Sequence, residues 1–233
     1  MVISIGIVLP IVDVCSFQSQ VASRSSSFGD MESMASMTPM TAAWMPKEMM
    51  SEDSDVLLAV SQLAARTLFD PAPKTTEGVA AMVKVLKPKL YQLFGSQSSS
   101  ALSAFLLIWD EQFQLAAMAG VVVEKLPGKN LLQDEVPRIS YLAVDPDLQK
   151  KGLGSMLVRH CEDWAAARGH KAIWLFHKSD KERLHRFYSK MGYGTVKHCT
   201  LTVPIPGEGK MEGTVQMLQR DATLMRKPLM KPL

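Results

Sequence analysis

The chain has 233 residues, of which 47% are hydrophobic, and it carries 26 Lys and Arg against 23 Asp and Glu, a net charge of +3. That is ample apolar material for a core, and so small an imbalance, with no long basic run, excludes an electrostatic nucleic-acid binder. Three cysteines, at positions 15, 161 and 199, cannot all pair and lack metal-ligand spacing, which points to a reducing compartment or to simple burial.

Residues 1–50 do not read as a folded domain. Met1 to Val14 is apolar, but it has no basic start, is interrupted by Pro10 and Asp13, and is too short to span a bilayer. Ser16 to Phe28 is Ser-rich with one Arg and no acid, and a Met/Ser/Thr/Pro stretch follows up to Met50. The two readings are a disordered leader and an organelle transit peptide, so a cytoplasmic location has a plastid or mitochondrion as its alternative. Either way this segment is expected to be dispensable for folding, with no membrane contact.

From Ser51 the pattern turns helical. Ser51-Glu52-Asp53-Ser54-Asp55 supplies a cap and first-turn acids ahead of Val56, Leu57, Val60, Leu63, Ala64 and Leu68. A second helix is predicted from Thr76 to Phe94, bent or broken at Pro88, with Met82, Tyr91 and Phe94 at spacings typical of plain core. Ala101 to Trp109 and Phe113 to Lys125 read as two strands of an antiparallel hairpin, and Leu126 to Glu135 as a loop. Ile139 to Val144 is the next strand. It delivers the chain into Asp145-Pro146 and then Gln149-Lys150-Lys151-Gly152-Leu153-Gly154-Ser155, which opens a third helix.

That loop can bind an anion. Glycines at 152 and 154 let the backbone curl, the first turn of a helix offers N–H groups without partners, and Lys150 and Lys151 stand alongside. A nucleotide P-loop is excluded because no G-K-[ST] ending is present, and a dinucleotide fingerprint because Leu157 stands where its third glycine belongs. The third helix presents Leu153, Met156, Leu157, Cys161, Trp164 and Ala165 on one face and ends at Arg168-Gly169. Lys171 to His177 then reads as a buried strand parallel to the one before the helix, since a helical crossover joins them. Ser179-Asp180 is expected to cap a fourth helix carrying Leu184, Phe187, Tyr188 and Met191 and closed by Gly192. Tyr193 to Val203 and Val215 to Lys227 make two final strands, and residues 228–233 a frayed tail.

Two stretches carry a family likeness. Leu142-Ala143-Val144-Asp145-Pro146 with Gln149 to Gly154 resembles the acetyl-CoA signature of the GCN5-related N-acetyltransferase (GNAT) superfamily. Arg186-Phe187-Tyr188-Ser189-Lys190-Met191-Gly192-Tyr193 resembles its second signature, in the matching order and separation. The resemblance implies an α/β GNAT (acyl-CoA N-acyltransferase) fold over residues 51–227, a mixed, mostly antiparallel sheet with a central parallel strand pair and helices on both faces. It implies an acetyl-CoA-dependent N-acetyltransferase that moves an acetyl group to a primary amine by direct attack. The alternative is a catalytically silent GNAT-fold module that binds or senses acyl-CoA.

The site implied by the resemblance has parts of unequal definition. Amides from Lys150 to Ser155 would seat the diphosphate, with Gln149 at the entry. The backbone of Leu142, Ala143 and Val144 would pair with pantetheine as an added strand does, and the Val144 amide would polarise the thioester oxygen. Tyr188 would be the general acid, a phenol near ~10 facing a thiol near ~8.5; the other reading of Tyr188 is a packed tyrosine whose hydroxyl is satisfied locally. The resembled motif often has Asn seven residues before this tyrosine and Ala four before it, where Lys181 and Leu184 stand. His177 and Glu124, each at a strand end, are the candidates for the base, or else rim residues. His160, His170, His177, His185 and His198 show no paired ligand spacing, so no metal is expected. The acceptor, a small molecule or a protein amine, and the oligomeric state are not specified by the residues.

Overall fold

Each of the first two long helices begins where a hydroxyl can close its open end. The computed structural model describes residues 40–69, 72–95, 103–125, 135–206 and 215–229, all in the unit that starts at Met40. Ser54 accepts a hydrogen bond from the Leu57 amide at the start of α1 (Asp55–Thr67), and Thr75 accepts one from Gly78 at the start of α2 (Thr76–Phe94). The remaining helices are α3 (Leu153–Ala167) and α4 (Glu182–Lys190).

Seven strands form one sheet: β1 (Thr41–Met45), β2 (Ala104–Trp109), β3 (Leu115–Lys125), β4 (Glu135–Val144), β5 (Ala172–Lys178), β6 (Gly194–Pro206) and β7 (Val215–Pro228). Their spatial order is β1-β2-β3-β4-β5-β7-β6, and only β4 and β5 run parallel, joined by the α3 crossover. The sheet is thus mixed and α/β, with the parallel pair that the helical crossover called for.

Both faces are covered. On one, Leu57 and Leu63 of α1 and Met82, Leu86, Leu90 and Phe94 of α2 pack on Phe105, Leu107, Met118 and Val122. On the other, α3 lays Leu157, Val158, Cys161 and Trp164 toward β3, β4 and β5. Strand β2 shows the consequence of period-two alternation between two buried faces, since Phe105, Leu106, Leu107 and Ile108 are all shut off from solvent.

The structure departs from the sequence reading in several places. Regular structure is present ahead of Ser51: Thr41 to Met45 pair with Trp109 to Phe105 as the sheet's edge strand, and Met50 has 0% exposure in the core. A five-residue strand with four apolar residues inside a Met/Ser/Thr/Pro stretch has no strand signal of its own, and its pairing partner lies some sixty residues away. Helix α2 is not broken at Pro88, because Leu86 and Leu90 on either side are buried and hold the axis through the one lost N–H bond. Met82 and Phe94 are core, while Tyr91 is half-buried.

Helix α4 is headed by Lys181, not by Ser179-Asp180, since the Ser179 hydroxyl bonds Thr223 Oγ1 at 2.9 Å and its amide donates to Asp221. β4 starts at Glu135, and β6 and β7 run longer than expected, β6 through Pro204 and Pro206. As an edge strand it loses no ladder bond on its open side to a proline. The end is tied as well, with β7 reaching Pro228 and the Leu229 amide bonded to Lys171 O at 2.8 Å. Predicted features within residues 1–39, 70–71, 96–102, 126–134, 207–214 and 230–233, the start of the Ala101 strand among them, lie outside the described residues.

Candidate functional site

The parallel pair at the centre of the sheet comes apart almost as soon as it forms. β4 and β5 share only the levels Arg138–Trp174 and Ile139–Leu175, although β4 continues to Val144 and β5 to Lys178. Ser140 to Val144 and Phe176 to Lys178 therefore flank an open wedge. The cause lies on the other side of β4, where the register against β3 slips between Met118 and Gly120 and Tyr141 takes φ +54°. An extra residue on one strand bends it and re-aims its backbone groups. Gly120 allows this: a Cβ there would strike the Phe94 ring, which packs edge-on to Tyr141 at 6.1 Å.

At the top of the wedge the chain turns into α3. Asp145 closes a single turn by accepting from the Asp147 amide, and Gln149 Nε2 donates back to Val144 O at 3.3 Å. Lys150 and Gly152 both have positive φ, +64° and +84°, and Gly152 heads α3 with no side-chain cap and no acid in the first turn. α1 and α2 have their ends closed by hydroxyls, whereas the amides of Leu153, Gly154 and Ser155 are left to whatever approaches. A Cβ on Gly152 would meet nothing within 4 Å. Lys150 and Lys151 are exposed beside this opening. These donors, the dipole and the two cations fit a diphosphate.

Below the loop, on the α3 side of the wedge, stands an aromatic and histidine cluster. Tyr188 on α4 is 7% exposed, with its ring 6.0 Å from His177, 5.0 Å from Phe187 and 5.9 Å from Tyr193. Burial, with the Cys161 thiol as a lesser cause, pushes its hydroxyl up to about 12. No hydrogen bond ties that hydroxyl to a partner among the described residues. Tyr193 is anchored in turn by Lys227, whose Nζ lies 5.8 Å from its ring centroid and 2.6 Å from Glu162 of α3.

His177 is 6% exposed and fully engaged. Its Nδ1 donates to Lys178 O at 2.8 Å, which leaves the Nε2 lone pair to accept from His185 Nδ1 at 3.3 Å. Burial holds its pKa below the usual histidine value; the Lys178 bond opposes this, and the neighbouring His185 and His198 add to it.

The sequence profile of the Acetyltransferase (GNAT) family matches residues 77–193, half of the chain. The chain belongs to that family. A curated relative, the [Ribosomal protein bS18]-alanine N-acetyltransferase of Salmonella typhimurium, is 36% identical over 52 residues, which are 22% of this chain and 35% of the relative; the match thus spans about a third of that protein's length. Among solved structures, the ribosomal-protein-S18-alanine N-acetyltransferase from Escherichia coli superposes with a TM-score of 0.52 at 17% identity, covering 84% of this chain and 97% of that one. Chaetomium thermophilum Naa20, in complex with a bisubstrate analogue, gives 0.50 at 19% identity, with 81% and 86% covered. A GNAT-family acetyltransferase from Streptococcus pneumoniae gives 0.51 at 15% identity, with 82% and 100% covered. At these identities the likeness is one of fold.

In this GNAT chain, Leu142, Ala143 and Val144 edge the wedge, Gln149 to Ser155 form the loop above it, and Tyr188 and His177 lie together at its side. Glu124 is not brought to Tyr188. It stands near the end of β3, level with Val136, where Arg138 Nε donates to its carboxylate. The sequence reading missed His185, Arg138 and the Tyr141 bulge. His185 precedes Tyr188 by three residues on a helix, a spacing that puts both on one face and is legible in principle. The Arg138–Glu124 pair spans the loop at 126–134 and depends on a register that no local pattern specifies.

Proposed function

We propose that this protein is an acetyl-CoA-dependent N-acetyltransferase that moves an acetyl group to a primary amine by direct attack. The observation that carries the reading is the wedge: β4 and β5 part after two paired levels, with an uncapped helix N-terminus above and Tyr188 beside the opening.

The chain's own groups supply most of what the reaction needs. The amides of Leu153 to Ser155, with Lys150 and Lys151, hold the diphosphate. The strand edge of Leu142 to Val144 accepts the extended pantetheine arm, and an amide there polarises the thioester oxygen. The amine nitrogen bonds to the thioester carbon, the C–S bond breaks, and Tyr188 gives its proton to the departing thiolate. His177 is not the base in this scheme, because both its ring nitrogens are in use, and Glu124 is held by Arg138. Water takes the amine's proton, and the departures at Lys181 and Leu184 remove none of these groups.

The test is an amine panel with acetyl-CoA and detection of free thiol. Acceptor-dependent CoA release is the expected result. Tight acetyl-CoA binding with no release for any amine would instead make the protein a binding module.

A further inference from the structure

Arg138 stands at the vertex of the wedge, opposite Trp174, at the first of the two levels where β4 and β5 still pair. Its side chain reaches past the vertex along both strands. Nη1 donates to Ser140 Oγ at 2.7 Å, two residues on along β4, and the guanidinium lies 5.6 Å from the ring centroid of Phe176, two residues past Trp174 on β5. The cation therefore forms the floor of the wedge between the diverging strands.

The face is fixed by alternation. Arg138 is paired with Val122 of β3, and Val122 packs in the α1–α2 core, so Arg138 lies on the α1–α2 side of the sheet and not on the α3 side. Glu124, two residues beyond Val122, accepts from Nε and aims the fork upward. A guanidinium has five N–H groups, and two are used, which leaves three at its wedge end. The side chain keeps 22% exposure, and that of Glu124 35%.

We propose that Arg138 reads the acceptor, and that the acceptor is an amine carrying a carboxylate a few bonds from its nitrogen. This rests on the N-acetyltransferase reading above. With acetyl-CoA entering from the α3 side, where its diphosphate seat lies, the amine approaches from the α1–α2 side and passes over the guanidinium. A planar fork with parallel free N–H groups matches a carboxylate in two bonds at once, and its charge repels an acceptor that offers only ammonium groups. Glu124 keeps the cation neutralised and oriented until the acceptor arrives, and so competes with it.

The test uses the full chain, acetyl-CoA, and matched pairs of amino carboxylates and their carboxamides, read by CoA release. The wild type should turn over carboxylates with the higher kcat/KM. Arg138→Gln should cut that kcat/KM by about 10- to 100-fold, mainly through KM, the scale of a lost charge-assisted pair, with carboxamides changed less than roughly twofold. Glu124→Gln should act the other way and lower KM for carboxylates. Acetyl-CoA affinity by calorimetry, unchanged in both variants, establishes that the fold survives. Preference for carboxamides, equal losses on both members of each pair, or a higher KM for carboxylates in Glu124→Gln would overturn the assignment of Arg138 alone. Release with no amine at all would overturn the transferase reading, and this one with it.

Discussion

Burial makes the Tyr188 hydroxyl a poorer acid than a phenol in water, about 12 against ~10, and the shift bears on its role as proton donor. Against a thiol at ~8.5 in water, transfer from such a group would be uphill by several pH units. The same apolar surroundings act on a thiol, however, and burial pushes the neighbouring Cys161 thiol up as well. A thiolate released beside Tyr188 is thus a stronger base than one in water, and the gap narrows. Tyr188→Phe is expected to leave acetyl-CoA affinity unchanged and to slow single turnover by roughly 10² to 10⁴-fold. Were the hydroxyl only structural, the variant would lose about 0.5 to 1.5 kcal/mol of stability and keep its rate, so melting, affinity and single turnover measured on one preparation separate the two. Gly154→Asp tests the loop. A Cβ at Gly154 would sit at ordinary contact distance, 3.7 Å from Phe187 and 4.0 Å from Val144, so the helix can accept it, while its carboxylate repels the diphosphate. Acetyl-CoA affinity should fall by at least about 100-fold with melting almost unmoved, and calorimetry showing wild-type affinity would remove the anion-seat assignment. Gly152→Asp is a less clean probe, because φ +84° strains any side chain there.

At the scale of elements, β1 decides where the protein can be cut. It closes the edge of the sheet over β2, and Trp44 packs on Trp164 of α3 with ring centroids 5.9 Å apart, while Arg168 covers the other ring at 4.0 Å. A chain beginning at Glu48 would lose this strand and bare the β2 edge, so it is expected to melt lower and to associate, whereas one beginning at Met40 should behave as the full chain does. Equal melting temperatures for the two would show β1 to be an ornament. Most elements were legible because their periodicity is local: the capped α1, the Val-rich β3, the apolar β5 and the glycine-bearing start of α3 each announce themselves within a dozen residues. What escaped was non-local. β1 needs β2 to be a strand, the wedge depends on how far two parallel strands stay paired, and the bulge at Tyr141 depends on Phe94 crossing Gly120. The loop and Tyr188 could be named from motifs, but the fact that His177 spends both nitrogens on Lys178 and His185 could not.

Across the whole molecule, three histidines share one electrostatic condition. His160 on α3, His170 just after it and His177 on β5 are each held below the usual histidine value, with burial the leading cause in every case. Asp163 partly offsets this at His160 and Glu135 at His170, while Arg168 reinforces it at His170. The sign of the consequence follows from proton binding. Below about pH 6.5 the unfolded chain takes up protons at these positions that the folded chain still refuses, so the unfolded state binds more protons and stability falls as pH falls. The ceiling is about 1.4 kcal/mol per pH unit for each histidine, and solvent screening lowers the share of the partly exposed His160 and His170. The urea midpoint should therefore be flat from pH 8 to 7 and decline from 6.5 toward 5. His177→Gln, which keeps a side chain able to donate and accept near Lys178 and His185 but cannot titrate, should flatten part of that decline. An unchanged slope in this variant would mean that His177 takes up its proton equally in the folded and unfolded chains and that the acid sensitivity arises elsewhere.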